Sequence, residues 1–195
     1  EGKQKYKNER WLKENVAFTG ELWLGHLRYG THGMNSIENV HPFLRQNNWR
    51  SRNLVMAGNF NMTNVDELFD LLVDLGQHPK EKVDTVTVME KIGHFLDEVV
   101  QGLFDKYKAK FSNREVSEII ENELIVAGMR RRACKDFDGG YTMAGLIGSG
   151  SAFVVRDPNG IRPAYYYAND EVVVVASEKP AIKTAFNIDY NQIEE

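Results

Sequence analysis

The nine residues from Gly25 to Gly33, GHLRYGTHG, gather a guanidinium, a hydroxyl and an imidazole at the end of an apolar run, ELWLGHL. Arg28 can grip a carboxylate through two parallel N–H donors, and Thr31 and His32 add polar groups within the same glycine-rich stretch. An anionic substrate group would suit that set, and so would a local acid held in a structural ion pair. A second polar cluster, AGNFNMTN at 57–64, also follows an apolar strand pattern. Amide donors at a strand end, here Asn59 and Asn61, are what an oxyanion hole needs, and ordinary turn chemistry uses the same residues. The third stretch is RDPNGIRP at 156–163, with Ala176 to Glu178 (ASE) following a later strand. Its PNG is a natural turn, because proline presets φ and glycine accepts a positive one. Turn chemistry gives no reason for the arginines on either side.

Several other chemistries lack their residues. Cys134 is the only cysteine, so no intramolecular disulfide or cysteine-only metal site can form. The five histidines show no HxxxH or HExxH spacing, and no metal is assigned. There is no GxGxxG and no GKS or GKT, hence no phosphate loop of either common kind. Arg130, Arg131 and Arg132 close a helical pattern, where the helix dipole alone favours cations.

The elements that must position these groups can be read from periodicity and punctuation. VAFTGELWLGHL (16–27) reads as a strand pair turning near Thr19 and Gly20, and RNLVMAGN (52–59) reads as a strand. Three amphipathic helices follow. The first is capped by Asn64 with Glu67 as capping-box partner, the second begins near Thr85 to Thr87, where Thr87 and Glu90 repeat the capping spacing, and the third opens at Ser112 with Glu115. After Gly139 short strands alternate with tight turns (YTMAGLIG, AFVVRD, PAYYYA, EVVVVAS), and a last helix, KPAIKTAF, closes the pattern. Strands, then helices, then strands describe a layered α+β fold and not alternating βαβ units.

The chain's 195 residues suit one domain, and its 42% hydrophobic and 27% charged content is that of an ordinary globular protein. A net charge of -4 argues against a phosphate-backbone grip, so no nucleic acid partner is expected. No apolar segment approaches the roughly 20 residues of a membrane span, and the charged opening residues lack a signal core. The cytoplasm is the default expectation.

Together, GHLRYGTHG, the HPF at 41–43, GNFNMTN at 58–64, RDPNGIRPA and ASE resemble the motifs of class II glutamine amidotransferase domains, specifically those of the glutamine phosphoribosylpyrophosphate amidotransferase family. The likeness spans about Gly20 to Phe186 in order and approximate spacing, and RDPNGIRP is its most specific part. It implies a four-layer αββα sandwich of the N-terminal nucleophile hydrolase type, lacking its first strand. It also implies hydrolysis of glutamine to glutamate and ammonia, with the ammonia passed to a downstream phosphoribosyltransferase domain of the same chain.

On this likeness Asn59 donates to the oxyanion, Arg28 binds the glutamine carboxylate, and Thr31, His32 and Phe60 line the same pocket. Asp84 is the candidate for holding the substrate ammonium, and capping its own helix is the alternative. Phe60 stands where the family has glycine, Gly58 where it has histidine, and the stretch at 100–136 is longer than its counterpart. The family's nucleophile is an N-terminal cysteine, expected upstream of Glu1, so residues 1–195 read as a fragment of the amidotransferase domain. No cofactor is expected in this part; Mg2+ is expected only with the absent phosphoribosyltransferase domain, and the intact protein is expected to be a homo-oligomer. A domain that keeps the fold for binding or regulation without glutaminase activity is the alternative, motivated by Gly58 and Phe60.

Overall fold

The computed structural model describes residues 8–27, 40–79, 81–124 and 126–195. A short helix α1 (Glu9–Asn15) is followed by β1 (Phe43–Arg45), a 3-10 turn (Arg50–Arg52) and the long strand β2 (Leu54–Met62). Four helices come next: α2 (Val65–Asp74), α3 (Asp84–Tyr107), α4 (Asn113–Glu123) and α5 (Val126–Ala133). The chain then returns as β3 (Gly139–Ile147), β4 (Ala152–Arg156), β5 (Tyr165–Ala168) and β6 (Val173–Ala176), and ends with α6 (Lys179–Phe186) and a 3-10 turn. Strands β1 to β4 form one antiparallel sheet in that spatial order, and β5 and β6 form a second, two-stranded one. The fold is α+β, as the strand–helix–strand texture requires.

The register between β2 and β3 runs from Leu54 opposite Ile147 to Met62 opposite Gly139. Because side chains alternate across a sheet, Leu54, Met56 and Met62 share one face with Tyr141, Met143 and Ile147, and all six are buried. Helix α3 lies on that face with Val88, Ile92, Leu96 and Val100 at four-residue spacing, joined by Leu68 of α2 and by Val116 and Ile120 of α4. Each such side chain contributes about 1.5–3 kcal/mol by leaving water. The opposite face carries the RDPNGIRP loop: the Thr142 hydroxyl donates to the Arg162 carbonyl at 3.2 Å, and a Cβ at Gly140 would collide with Ile161.

Charge fixes β1 to α3. The Arg45 guanidinium donates to Glu90 at 3.0 Å and to Asp97 at 2.7 Å, largely out of solvent. Gly93 sits beneath it, where an added Cβ would come within 2.4 Å of Arg45 Cδ and Nε. Gly93→Ala should therefore unseat a partly buried ion pair, destabilising the fold by about 2–3 kcal/mol despite alanine's better helix propensity, as a urea titration would measure. A midpoint equal to or above the native one would show that the arginine moves aside without cost.

Most expected elements form, and three details differ. Residues 16–27 contain no strand. Phe18 has a positive φ of 62°, the Thr19 hydroxyl donates to the Leu12 and Val16 carbonyls, and the Trp23 indole donates to the Gly20 carbonyl. The segment folds back onto α1, and its apolar alternation meets no surface to cover it: Phe18 is 83% exposed and Leu27 96%. Asn64 occupies the N-cap of α2 without capping it; its amide instead donates to the Asp136 carbonyl and accepts from the Asp138 N–H, tying α2 to the start of β3. Thr87 lies fully buried inside α3, which begins three residues earlier at Asp84. The Ser112–Glu115 capping box is present as expected. The long 100–136 stretch forms the end of α3, α4 and α5 and contributes Val116, Ile120, Leu124 and Ala133 to the core.

Candidate active site

The edge of β2 beyond β1 carries the candidate chemistry. Strand β1 covers only Leu54 to Met56 of it, with Arg45 opposite Leu54 and Phe43 opposite Met56. In an antiparallel ladder successive N–H groups point to opposite neighbours. Thr63 N–H donates to the Asp138 carbonyl on the β3 side, whereas Gly58 N–H points the other way, to Nδ1 of His41 at 3.3 Å. Continuing that alternation, Asn59 and Asn61 turn their N–H groups toward β3, opposite Thr142 and Gly140, and Phe60 turns its N–H outward, past the end of β1. Among the described residues none accepts from it.

Asn59 stands on the sheet face turned away from α3, exposed, and its amide makes no hydrogen bond to a described residue. The Phe60 ring points to the helix side, packing at the core margin and meeting the His41 ring edge-on at 5.9 Å. An exposed side-chain amide is thus followed by an outward backbone N–H, two donors from adjacent residues at one strand edge. Phenylalanine supplies that backbone donor as well as glycine would. At Gly58 the strands approach so closely that a Cβ would lie 2.6 Å from the Thr142 carbonyl oxygen, so the histidine of the related motif has no room in this backbone.

Asp84 opens α3, and its carboxylate accepts from the Thr85 N–H at 2.8 Å and the Thr85 hydroxyl at 3.4 Å. It accepts one first-turn N–H of its own helix, whose N-cap position is Val83, and no contact joins it to Asn59 among the described residues. Arg28, Thr31 and His32 lie outside the described residues. Cys134 packs against the helix-side core, near Tyr141, while the Asn59 side chain occupies the other face of the sheet. It therefore cannot serve as a nucleophile at the Asn59 edge.

The RDPNGIRP loop does more than turn the chain. Asp157 is only 3% exposed, and its carboxylate accepts from the N–H groups of Asn159 at 3.1 Å, Ile161 at 2.8 Å, Arg162 at 3.0 Å and Tyr141 at 3.3 Å. Burial pushes its pKa up, but the donors, led by Arg162 and Ile161, outweigh burial and hold it below the ordinary carboxylate value. Arg156 explains one flanking arginine: it donates to the Arg162 and Gly160 carbonyls and to Glu195, bracing the loop from outside. The sequence offers a turn here; a carboxylate organising four backbone donors becomes visible only when the loop closes on β3. A cleft of about 310 Å³ opens beside it, lined by Val154, Arg156, Tyr165, Tyr166, Val175 and Glu195, and it includes neither Asn59 nor Asp84.

No protein-family model matches the chain. Curated relatives do. It is 27% identical over 162 residues to an amidophosphoribosyltransferase of Methanothermobacter thermautotrophicus, covering 83% of this chain and 28% of that protein. A chloroplastic amidophosphoribosyltransferase of Arabidopsis thaliana is 29% identical over 84% of this chain and 25% of its own length, and the Escherichia coli amidophosphoribosyltransferase is 27% identical over 85% and 30%. The chain thus spans less than a third of the length of these relatives. Among solved structures, the glutamine phosphoribosylpyrophosphate amidotransferase of B. subtilis complexed with ADP and GMP superposes with a TM-score of 0.54 at 24% identity, over 81% of this chain and 28% of that one. A structure described as the allosteric regulatory enzyme of purine biosynthesis gives 0.56 at 26% identity, over 83% and 29%. The overall fold is shared with both.

Proposed function

We infer that this chain, a relative of the amidophosphoribosyltransferases over most of its length, is the glutamine-hydrolysing domain of such an enzyme. The observation that carries the reading is the pair of adjacent donors, the exposed Asn59 amide and the outward Phe60 N–H, at a strand edge of a shared fold. When a thiolate adds to the side-chain amide carbon of glutamine, the carbonyl oxygen gains negative charge. Donors fixed in advance stabilise that charge without reorganising during the reaction. In this reading the Arg28 guanidinium holds the substrate carboxylate, with Thr31 and His32 beside it. Asp84 holds the ammonium with the carboxylate oxygen that Thr85 leaves available. The attacking thiol is an N-terminal cysteine of the intact enzyme, whose own α-amino group serves as base.

The reading further assigns the ammonia to a phosphoribosyltransferase domain, where it displaces pyrophosphate from phosphoribosyl pyrophosphate in purine biosynthesis. It places the two small sheets face to face between helical layers, in a four-layer αββα arrangement. No cofactor belongs to this domain; Mg2+ belongs with the phosphoribosyltransferase part, in a cytoplasmic homo-oligomer. Among the described residues no helix is long and apolar enough to cross a membrane. The matched relatives are named as enzymes, and no observation favours a purely regulatory domain. The direct test is glutamate release by the intact protein that carries this chain, with and without 6-diazo-5-oxonorleucine, which alkylates the active thiol. Stoichiometric labelling with loss of glutamate release is expected, and a folded sample that neither labels nor hydrolyses glutamine would sink the reading.

A further inference from the structure

We propose that His41 is a positioning residue of this site, holding the donor edge of β2 in register; the inference rests on the glutaminase reading above. The pairing of Phe43 with Met56 sets residue 41 opposite Gly58. A continued β1 would meet the Gly58 N–H with the backbone carbonyl of residue 41. Here the imidazole takes that place, with Nδ1 accepting from Gly58 at 3.3 Å. Three rings fix the imidazole: His26 stacks on it at 4.5 Å, Phe43 meets it edge-on at 4.8 Å, and Phe60 does so at 5.9 Å.

The same imidazole bears on the next outward donor, the Phe60 N–H two residues along, through its contact with the Phe60 ring. An edge with no partner at all would fray, because the rise of one strand residue is only about 3.4 Å and the donor must be placed within a few tenths of that. His41 anchors Gly58 and contacts the Phe60 ring. It touches no reacting atom in this scheme, so its effect belongs on turnover more than on glutamine binding.

The experiment uses the intact protein with two substitutions. His41→Phe keeps an aromatic ring but removes the acceptor, and His41→Asn removes the ring but keeps an acceptor, Oδ1, at the same number of bonds from the backbone as Nδ1. For His41→Phe, glutaminase kcat should fall about 10-fold with KM for glutamine within about twofold, less than the loss from deleting an oxyanion donor outright. His41→Asn should recover kcat to within about threefold of the native value. Hydrogen exchange read at the Gly58 amide should quicken in His41→Phe and remain slow in His41→Asn. An active native protein whose His41→Phe variant keeps full kcat, or whose His41→Asn variant is as impaired as His41→Phe, overturns the role of His41 alone. A native protein without glutaminase activity overturns the functional reading, and this inference with it. If His41→Phe does not fold, His41→Asn decides: native-like exchange at Gly58 with near-native kcat supports the role, and rapid exchange with unchanged kcat refutes it.

Discussion

Replacing Asn59 by alanine should lower kcat for glutamine hydrolysis by the intact protein about 10²- to 10³-fold, while KM for glutamine moves by less than about threefold. The size follows from what the amide is asked to do. A hydrogen bond that strengthens as charge develops lowers the barrier, by roughly 3 kcal/mol for one donor in a site closed to water. One that serves substrate and transition state alike would change KM instead. The Asn59 side chain is exposed and makes no hydrogen bond to a described residue, so alanine should leave the melting temperature within about 2 °C of native. A variant that loses activity and stability together would place Asn59 in the scaffold. A variant with unchanged kcat would remove it from the chemistry.

Asp157→Ala should produce the largest loss of stability, about 4 kcal/mol. Four backbone N–H groups converge on this buried carboxylate, and one belongs to β3. Removing it leaves the buried Tyr141 N–H and three loop N–H groups without their acceptor, and a buried donor costs far more unmade than it contributes when made. For a domain of this size the melting temperature should drop on the order of 10 °C. The pH dependence has a definite sign. The folded carboxyl has a pKa below its ordinary value, so its contribution is complete above the unfolded pKa of about 3.9 and disappears as the pH falls through the lower, folded value. The gap between the native protein and Asp157→Ala, read by thermal melting, should be constant from neutral pH to about pH 5 and shrink in stronger acid. A gap that stays the same throughout would show that the charge on Asp157 is irrelevant to the loop.

These two residues were legible to different degrees. Asn59 is marked in the sequence because an amide after an apolar strand pattern suits an oxyanion, and the surrounding GNFNMTN carries the family likeness. Asp157 is marked only as part of a turn. Its role depends on Tyr141, 16 residues earlier, arriving beside it in β3. The same limit explains the errors. Asn64 has the right type and spacing for a cap, but the chain at 136–138 passes close enough to claim its amide. Residues 16–27 alternate like a strand, but alternation forms a strand only where a neighbour takes the backbone groups and a surface covers the apolar side.

The available chemistry and the local elements follow from the residue types and their near neighbours. The Ser112 capping box and the KPAIKTAF helix depend on contacts within a few residues, and both form where the residues indicate. The tertiary structure decided which groups face which way. The Phe60 N–H points away from β3 because β2 pairs with β3 in one register and with β1 over only three residues. A slip of one position would turn the same N–H into the ladder, and that choice is made by partners distant in the chain.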